Sequence, residues 1–230
     1  MLRLLALLAV TCVSFVLTFS CPPSEREALA ALHHALGGPE WKQQWPIHDW
    51  DINQCHFFGI GCHNGKVMSI NLRNNNLDGH LPNEIGCFPA LRYLDLSRNS
   101  LKGPIVFDSW QNLKSLQSLD LSHTKITRQI PSSLCELGES LQYINLHHTQ
   151  LSGIVPSCFD ERFSKSLKAF HVHCSQLSSP VSPSFQELDS LETVTTYCNN
   201  CDECKCCPMF DLQGPKVDCG MSDCEQRCSV

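Results

Sequence analysis

The most constraining feature of this sequence is a spacing: an apolar–x–apolar triplet that returns every two dozen residues. Its first apolar positions are 70, 94, 119, 144, 170 and 194, so the steps are 24, 25, 25, 26 and 24 residues. Ile70 to Leu77 and Leu94 to Leu101 share the fuller pattern L-x-L-x-x-N-x-L. Leu119 to Ile126 and Ile144 to Leu151 continue it, and degraded copies follow at Phe170 to Leu177 and Val194 to Asn199. A unit this short cannot bury its own apolar residues, so the copies must stack and share one interior. In Leu94-Asp95-Leu96 the alternation turns both leucines inward and the residues between them outward, which specifies a strand. Upstream residues such as Leu113, Leu116 and Leu119 recur every third position and supply the next layer of each coil.

The polar positions of the repeat have structural work of their own. Asn75 and Asn99 are expected to form a ladder that hydrogen-bonds backbone groups left unpaired where the chain turns. Thr124, Thr149 and Ser175 stand in its place later on, with shorter reach and a less regular spine. Gly79, Gly103 and Gly153 mark turns toward the convex side. Stacked repeats need covers at both ends. At the N-terminal end Ser24 and Glu27 have capping-box spacing, and Ala28, Leu29, Leu32, Ala35 and Leu36 recur at helical spacing before Gly37-Gly38. Trp41, Trp45 and Trp50 are then expected to roof the first coil, and Cys55 with Cys62 to staple this cap by a disulfide. A zinc reading of that pair is poorer, because no second close pair completes four ligands.

Cysteine usage bears on the compartment. There are 16 Cys in 230 residues, and Arg3 followed by an apolar run from Leu4 to Phe19 reads as an export signal. Removing residues 1–20 leaves 15 Cys and no second apolar run of spanning length, so a secreted, disulfide-bonded chain without a membrane span is expected. An uncleaved anchor and a lipoprotein signal at Cys21 are the weaker alternatives. Cys174 and Cys198 occupy equivalent places in adjacent repeats and form a possible rung-to-rung bridge, and Cys135 with Cys158 is a weaker pair. The run from Cys198 to Cys228 invites a metal-cluster reading, but behind an export signal a disulfide-rich cap fits it better. The organisation expected is therefore a signal at 1–20, an N-terminal cap at 21–66, about six repeats at 67–199 and a Cys-rich C-terminal cap at 200–230.

A net charge of −6 with no long basic run argues against nucleic acid as a partner. No phosphate loop, His-Glu-x-x-His or serine elbow occurs. Asp95 and Asp120 pair as carboxylates, yet on adjacent rungs of an open sheet they have no pocket to exclude water. No catalytic residue, cofactor or metal is assigned, and the chain is read as a non-enzyme.

The repeat alignment stacks the outward strand positions into columns about 5 Å from rung to rung. The first runs Tyr93, Ser118, Tyr143, Ala169, Thr193 and the second Asp95, Asp120, Asn145, His171, Thr195. The third runs Ser97, Ser122, His147, His173, Tyr197 and the fourth Arg98, His123, His148, Cys174, Cys198. From these, Tyr93, Asp95, Arg98, Asp120, His123, Tyr143, Asn145, His147, His148, His171, His173 and Tyr197 are the expected partner-binding residues. The five histidines are read first as hydrogen-bonding surface residues, second as groups that make binding pH-dependent, and third as transition-metal ligands.

The helix, the tryptophans, the C-x-F-x-G-I-x-C segment from Cys55 to Cys62 and the G-x-L-P and G-I-V-P endings at Gly79–Pro82 and Gly153–Pro156 together resemble plant-type extracellular leucine-rich-repeat proteins. That group includes receptor-like kinase ectodomains and polygalacturonase-inhibiting proteins; no kinase signature occurs here. The resemblance covers roughly Ser24 to Asn199. Phe57 and Ile60 stand where the family usually has Trp and Val, and Arg128, Ser179, Val106 and Ser182 depart from the turn Gly and Pro. It implies an α/β fold, a right-handed leucine-rich-repeat solenoid with short parallel strands on its concave face, a helical N-terminal cap and a Cys-rich C-terminal cap. It also implies recognition of a protein or peptide in signalling, adhesion or defence, the partner being for example a receptor ectodomain. Inhibition of an extracellular hydrolase and a disulfide-linked matrix role are the alternatives.

Overall fold

The computed structural model describes residues 19–105, 110–163, 165–178 and 190–195. The export signal, Tyr197, Cys198 and the Cys-rich tail lie outside these residues.

Each predicted triplet forms a three-residue strand or part of a longer one. They are β2 (Lys66–Asn71), β4 (Tyr93–Asp95), β6 (Ser118–Asp120), β8 (Tyr143–Asn145), β10 (Ala169–His171) and β12 (Thr193–Thr195). These pair in parallel and in order, and β1 (Ile60–His63) adds to β2 antiparallel, closing the cap end of a seven-stranded sheet. The register follows the repeat: Ile70, Leu94, Leu119, Ile144, Phe170 and Val194 lie rung on rung. Ile70 to Phe170 of this column are essentially buried, as are Leu72, Leu96, Leu121, Leu146 and Val172. Steps of 24 to 26 residues reach the same register because the far side of each coil absorbs the difference. The longest step, from Ile144 to Phe170, winds a helical turn, α2 (Cys158–Arg162), where the three steps before it carry 3-10 turns. There Phe159 packs on Phe163 and Phe170 with ring centroids 4.5 and 5.4 Å apart, filling with aromatic rings the space leucines fill elsewhere.

A second sheet accompanies the first. Asp78–His80, Ser100–Gly103, Lys125–Arg128, Gln150–Gly153 and Gln176–Leu177 form β3, β5, β7, β9 and β11, five parallel strands on the far side of the turn. Only turns were expected there. The glycines still shape this ridge: Gly79 has φ 138°, and a Cβ on it would meet the Ala35 carbonyl oxygen at 2.3 Å, so only glycine lets β3 approach the cap helix. Arg128 adopts φ 73° at the equivalent bend without being glycine, a strain of roughly 1–2 kcal/mol.

Between the two sheets runs the polar ladder. Asn99 Oδ1 accepts from the Asn75 and Leu77 amides at 3.0 Å, and its Nδ2 lies 2.8–3.0 Å from the Leu72, Leu96 and Ser97 carbonyl oxygens. Asn75 does the same work toward the cap, accepting from the Gln43 amide and donating to the Gln43 carbonyl. Thr124, Thr149 and Ser175 each donate to the carbonyl three residues back, and Thr149 Oγ1 also accepts from the Leu151 amide at 3.5 Å, a shorter reach than that of Asn99.

The cap helix α1 (Glu25–Ala35) starts at Ser24, whose Oγ accepts from the Glu27 amide, and Gly37 at φ 70° ends it. Ala28, Leu29, Leu32 and Leu36 are buried, whereas Ala35 is exposed and contributes only its carbonyl to the β3 approach. Trp41 and Trp45 roof the first coil as expected, donating to the Leu36 and Phe58 carbonyls. Trp50 does not: it is 69% exposed. The interior place belongs to Arg26, whose guanidinium donates to the carbonyls of Ile52, Asp49, Pro46 and Ile47 and lies 4.5 Å from the Phe57 ring centroid. Four carbonyls and an aromatic face compensate a buried cation, and they shape the loop that carries Trp50.

Cys55 and Cys62 are bonded, as are Cys135 and Cys158. Cys21 is bonded to Cys87 across 66 residues, a pairing the spacing did not suggest and one that rules out Cys21 as a lipidated residue. Cys174 is also in a disulfide; whether Cys198 is its partner lies outside the described residues.

Two expectations follow for folding. Asn99→Ala strands several buried backbone groups and lowers unfolding free energy by roughly 3–5 kcal/mol, against about 1 kcal/mol for Thr124→Val, measured by urea denaturation. Arg26→Lys keeps the charge but loses the planar fork, and raises amide exchange in residues 46–52 more than in the repeats.

Candidate functional site

The outer face of the seven-stranded sheet, the side expected to be concave, carries the predicted columns, but it does not display all of them. Ser97 and Ser122 are buried, folded back into the turn after each strand. Asp95 Oδ1 accepts from the Ser97 amide and hydroxyl at 2.9 and 2.6 Å, and Asp120 Oδ1 from the Ser122 amide at 2.9 Å. These two carboxylates hold strand ends in place. They are partly buried and act first as structural residues, with only one face left for a partner. Arg98, His123, His148 and Cys174 all have φ between 52° and 57°, the left-handed turn that ends each rung, and Asn74 has the same conformation one coil earlier.

What the face displays is aromatic. Tyr93 and Tyr143 are 51% and 42% exposed, in the same column on β4 and β8 with Ser118 between them. Two strand spacings put them about 10 Å apart. Tyr93 is steadied by its hydroxyl on Gln117 Oε1 at 3.3 Å, a residue outside the predicted columns. Ala169, next in that column, is buried and too small to contribute.

Beside the tyrosines lie the histidines, which the structure does bring together. His147 Nε2 is 3.1 Å from His123 Nε2, with the two rings at 80°. His148 stacks on His123 with centroids 4.4 Å apart, and His173 stacks on His147 at 4.5 Å. His171 and His173 both contact Thr195 Oγ1 through Nδ1 at 2.8 Å, so this threonine, not among the expected binding residues, joins the two rings. One chain of bonds fixes His147. Asp120 Oδ2 accepts from Asn145 Nδ2 at 3.0 Å, which turns Asn145 Oδ1 toward His147 Nδ1. An oxygen there requires a proton on Nδ1, and leaves the Nε2 lone pair free to face His123.

Burial sets the charge state. All five histidines are held below the ordinary imidazole value, first by desolvation: His147 falls to about 3 and His173 to about 4. For His147 and His173 the neighbouring imidazoles come next. Arg98 adds to the lowering at His123 and His148, and Asp120 works weakly against it at His123 and His171. The cluster is therefore neutral at neutral pH, and the charge change expected near 6.5 moves to more acid conditions. Tyr197 lies outside the described residues. No helix among the described residues is long and apolar enough to cross a membrane.

Comparison with known proteins places this geometry. Residues 66–88, 90–113, 115–137 and 140–161 match the Leucine Rich Repeat family. Protein STRUBBELIG-RECEPTOR FAMILY 2 of Arabidopsis thaliana is 34% identical over 107 residues, covering 46% of this chain but only 15% of that protein. Among solved structures, the Arabidopsis receptor kinase HAESA in complex with the peptide hormone IDA and the co-receptor SERK1 has TM-score 0.68 and 26% identity, over 74% of this chain and 28% of that one. The BIR2 ectodomain from Arabidopsis thaliana has TM-score 0.63 and 27% identity, over 76% of this chain and 97% of that one. This chain is a leucine-rich-repeat solenoid, similar along most of its described length to plant leucine-rich-repeat ectodomains.

Proposed function

We propose that the chain is an extracellular recognition module that binds a peptide or protein partner across the outer face of its seven-stranded sheet. The observation that carries the reading is the Tyr93–Tyr143 pair: two exposed phenol rings held by short, paired strands beside a partly buried polar cluster. Tyrosine offers large contact area with few rotamers to freeze, and rigid aromatic anchors next to oriented polar groups are where binding energy concentrates. The HAESA likeness supports the same direction, since that ectodomain is captured with a peptide hormone and a co-receptor. Disulfides at Cys21–Cys87, Cys55–Cys62 and Cys135–Cys158 support an oxidising, extracellular setting. The reading is of a binding protein and not an enzyme. In support, Asp95 and Asp120 spend oxygens on turn amides and, among the described residues, have no pocket around them to exclude water.

Immobilised chain is expected to capture a partner from extracellular fluid, and Tyr93→Ala/Tyr143→Ala to weaken that capture at least ~10-fold. Lys125→Ala, exposed on the second sheet, serves as the control and leaves capture intact. Equal capture by the double tyrosine variant would remove this face from the reading. A captured receptor ectodomain assigns signalling; a hydrolase that loses activity assigns inhibition, and complexes that collapse on reduction assign a matrix role.

The depressed histidines set a pH expectation with a definite sign. The unfolded chain takes up protons below about 6.5, while the folded cluster resists them. Stability from this source is complete above that value and falls as pH drops toward about 4 for His173 and about 3 for His147. Urea midpoints should thus decline between pH 6.5 and 5, and His147→Gln/His173→Gln should flatten that decline. Partner binding stays level from pH 7.5 to 6.5.

A further inference from the structure

We propose that His123 and His147, joined by His148, form a binding site for a late first-row divalent transition ion, zinc or copper(II). The site stands on the chain alone and does not depend on the partner-binding reading.

Donor nitrogens of these three histidines all lie within 4.8 Å of one another. Two nitrogens bound to one ion at about 2.0–2.1 Å sit ~2.9 Å apart at a right angle and ~3.4 Å apart at the tetrahedral angle. The 3.1 Å between His123 Nε2 and His147 Nε2 falls inside that interval. The two rings stand at 80° to each other with centroids 4.8 Å apart, so an ion between the nitrogens needs only a small rotation of each ring and no stacking to be broken between them. His148 is exposed and parallel to His123, so it completes the set by turning its ring toward the open side.

The surroundings suit a ligand. A metal-binding histidine ordinarily donates its second N–H to an oriented acceptor, which fixes the tautomer. His147 has this support in full: Nδ1 faces Asn145 Oδ1, and Asn145 is held in turn by Asp120. A neutral imidazole is the form that binds an ion, through the lone pair of its unprotonated nitrogen. Without an ion, the 3.1 Å contact is a bond from His123 Nε2–H to His147 Nε2. Binding moves the His123 proton to Nδ1 and the ion takes its place between the nitrogens. The charged groups facing the cluster are Asp120, which attracts a cation, and Arg73 and Arg98, which oppose it. Neutral imidazoles select zinc, copper(II) or nickel over magnesium and calcium, whose preferred ligands are oxygens. Cys174 lies next to His148 and His173 but is in a disulfide, so it has no thiolate to offer.

The test is titration of the full chain with Zn2+ and Cu2+ by calorimetry, after alkylation of any free thiol so that cysteines do not compete. Saturable binding is expected, and His123→Asn/His147→Gln lowers its affinity at least ~100-fold. Asn is chosen at 123 because it tolerates the left-handed turn found there. Asn145→Ala touches no ion and is expected to weaken binding ~10- to 100-fold by freeing the His147 tautomer, and His148→Ala weakens it as well. His63→Ala, on β1, changes nothing. Absence of saturable binding overturns the proposal. So does binding that survives unchanged in the His123/His147 variant or, should that variant not fold, in both Asn145→Ala and His148→Ala.

Discussion

The side chains displayed on the outer sheet face from Tyr93 to Thr193 owe their positions to in-register parallel pairing between strands only three residues long. Such strands have no independent stability, and a slip of one residue would turn the buried column outward and the tyrosines inward. What prevents the slip is the interior. Ile70, Leu94, Leu119, Ile144 and Phe170 meet rung on rung, with Leu72, Leu96, Leu121, Leu146 and Val172 beside them, and no other register buries both columns. Apolar burial of about 1.5–3 kcal/mol per large side chain is thereby converted into positional order on the opposite face.

Turning such a chain twice per coil leaves backbone amides and carbonyls inside, and the molecule meets that demand in two ways. Asn99 reaches five backbone groups across two coils, so the first turns are strongly tied. Asp95 and Asp120 tie the strand ends from the outer side. The same requirement explains why carboxylates that stack neatly in an alignment make a poor catalytic pair: their lone pairs are directed at turn amides before any substrate arrives.

Periodicity reveals whatever repeats, and so strands, register, the Asn75–Asn99 ladder and the leucine layers were legible in the sequence. Local spacing likewise exposed Cys55–Cys62 and, less firmly, Cys135–Cys158. The features that escaped are those set by single long-range contacts. Cys21 meets Cys87 only because the cap folds back on the first repeat. Arg26 is interior because four carbonyls of a distant loop converge on it, which leaves Trp50 outside; a charged residue on a helix gives no such signal by itself. The second sheet was hidden because its strands read as turn residues, being short and, in β3, β5 and β9, carrying a glycine. Alignment placed the five histidines together, but their neutrality was invisible, since desolvation depends on how the rings crowd one another and not on which residues they are.

The histidines also sit where the spine changes character. Asn75 and Asn99 serve the first turns, and from Thr124 onward a hydroxyl serves instead; His123, His147, His148 and His173 all belong to the hydroxyl repeats. A hydroxyl on so short a side chain reaches less of the turn than Asn99 does, and leaves more of it to be ordered by other means. Outward groups supply part of that order, since Asn145 bridges Asp120 to His147 and Thr195 bridges His171 to His173. The outer face is thus not a passive display mounted on a finished scaffold. In its later rungs the half-buried polar groups of that face, with Thr195 buried beneath them, also hold neighbouring coils together, so a ligand gripping the histidines would tighten the solenoid where its internal spine is thinnest.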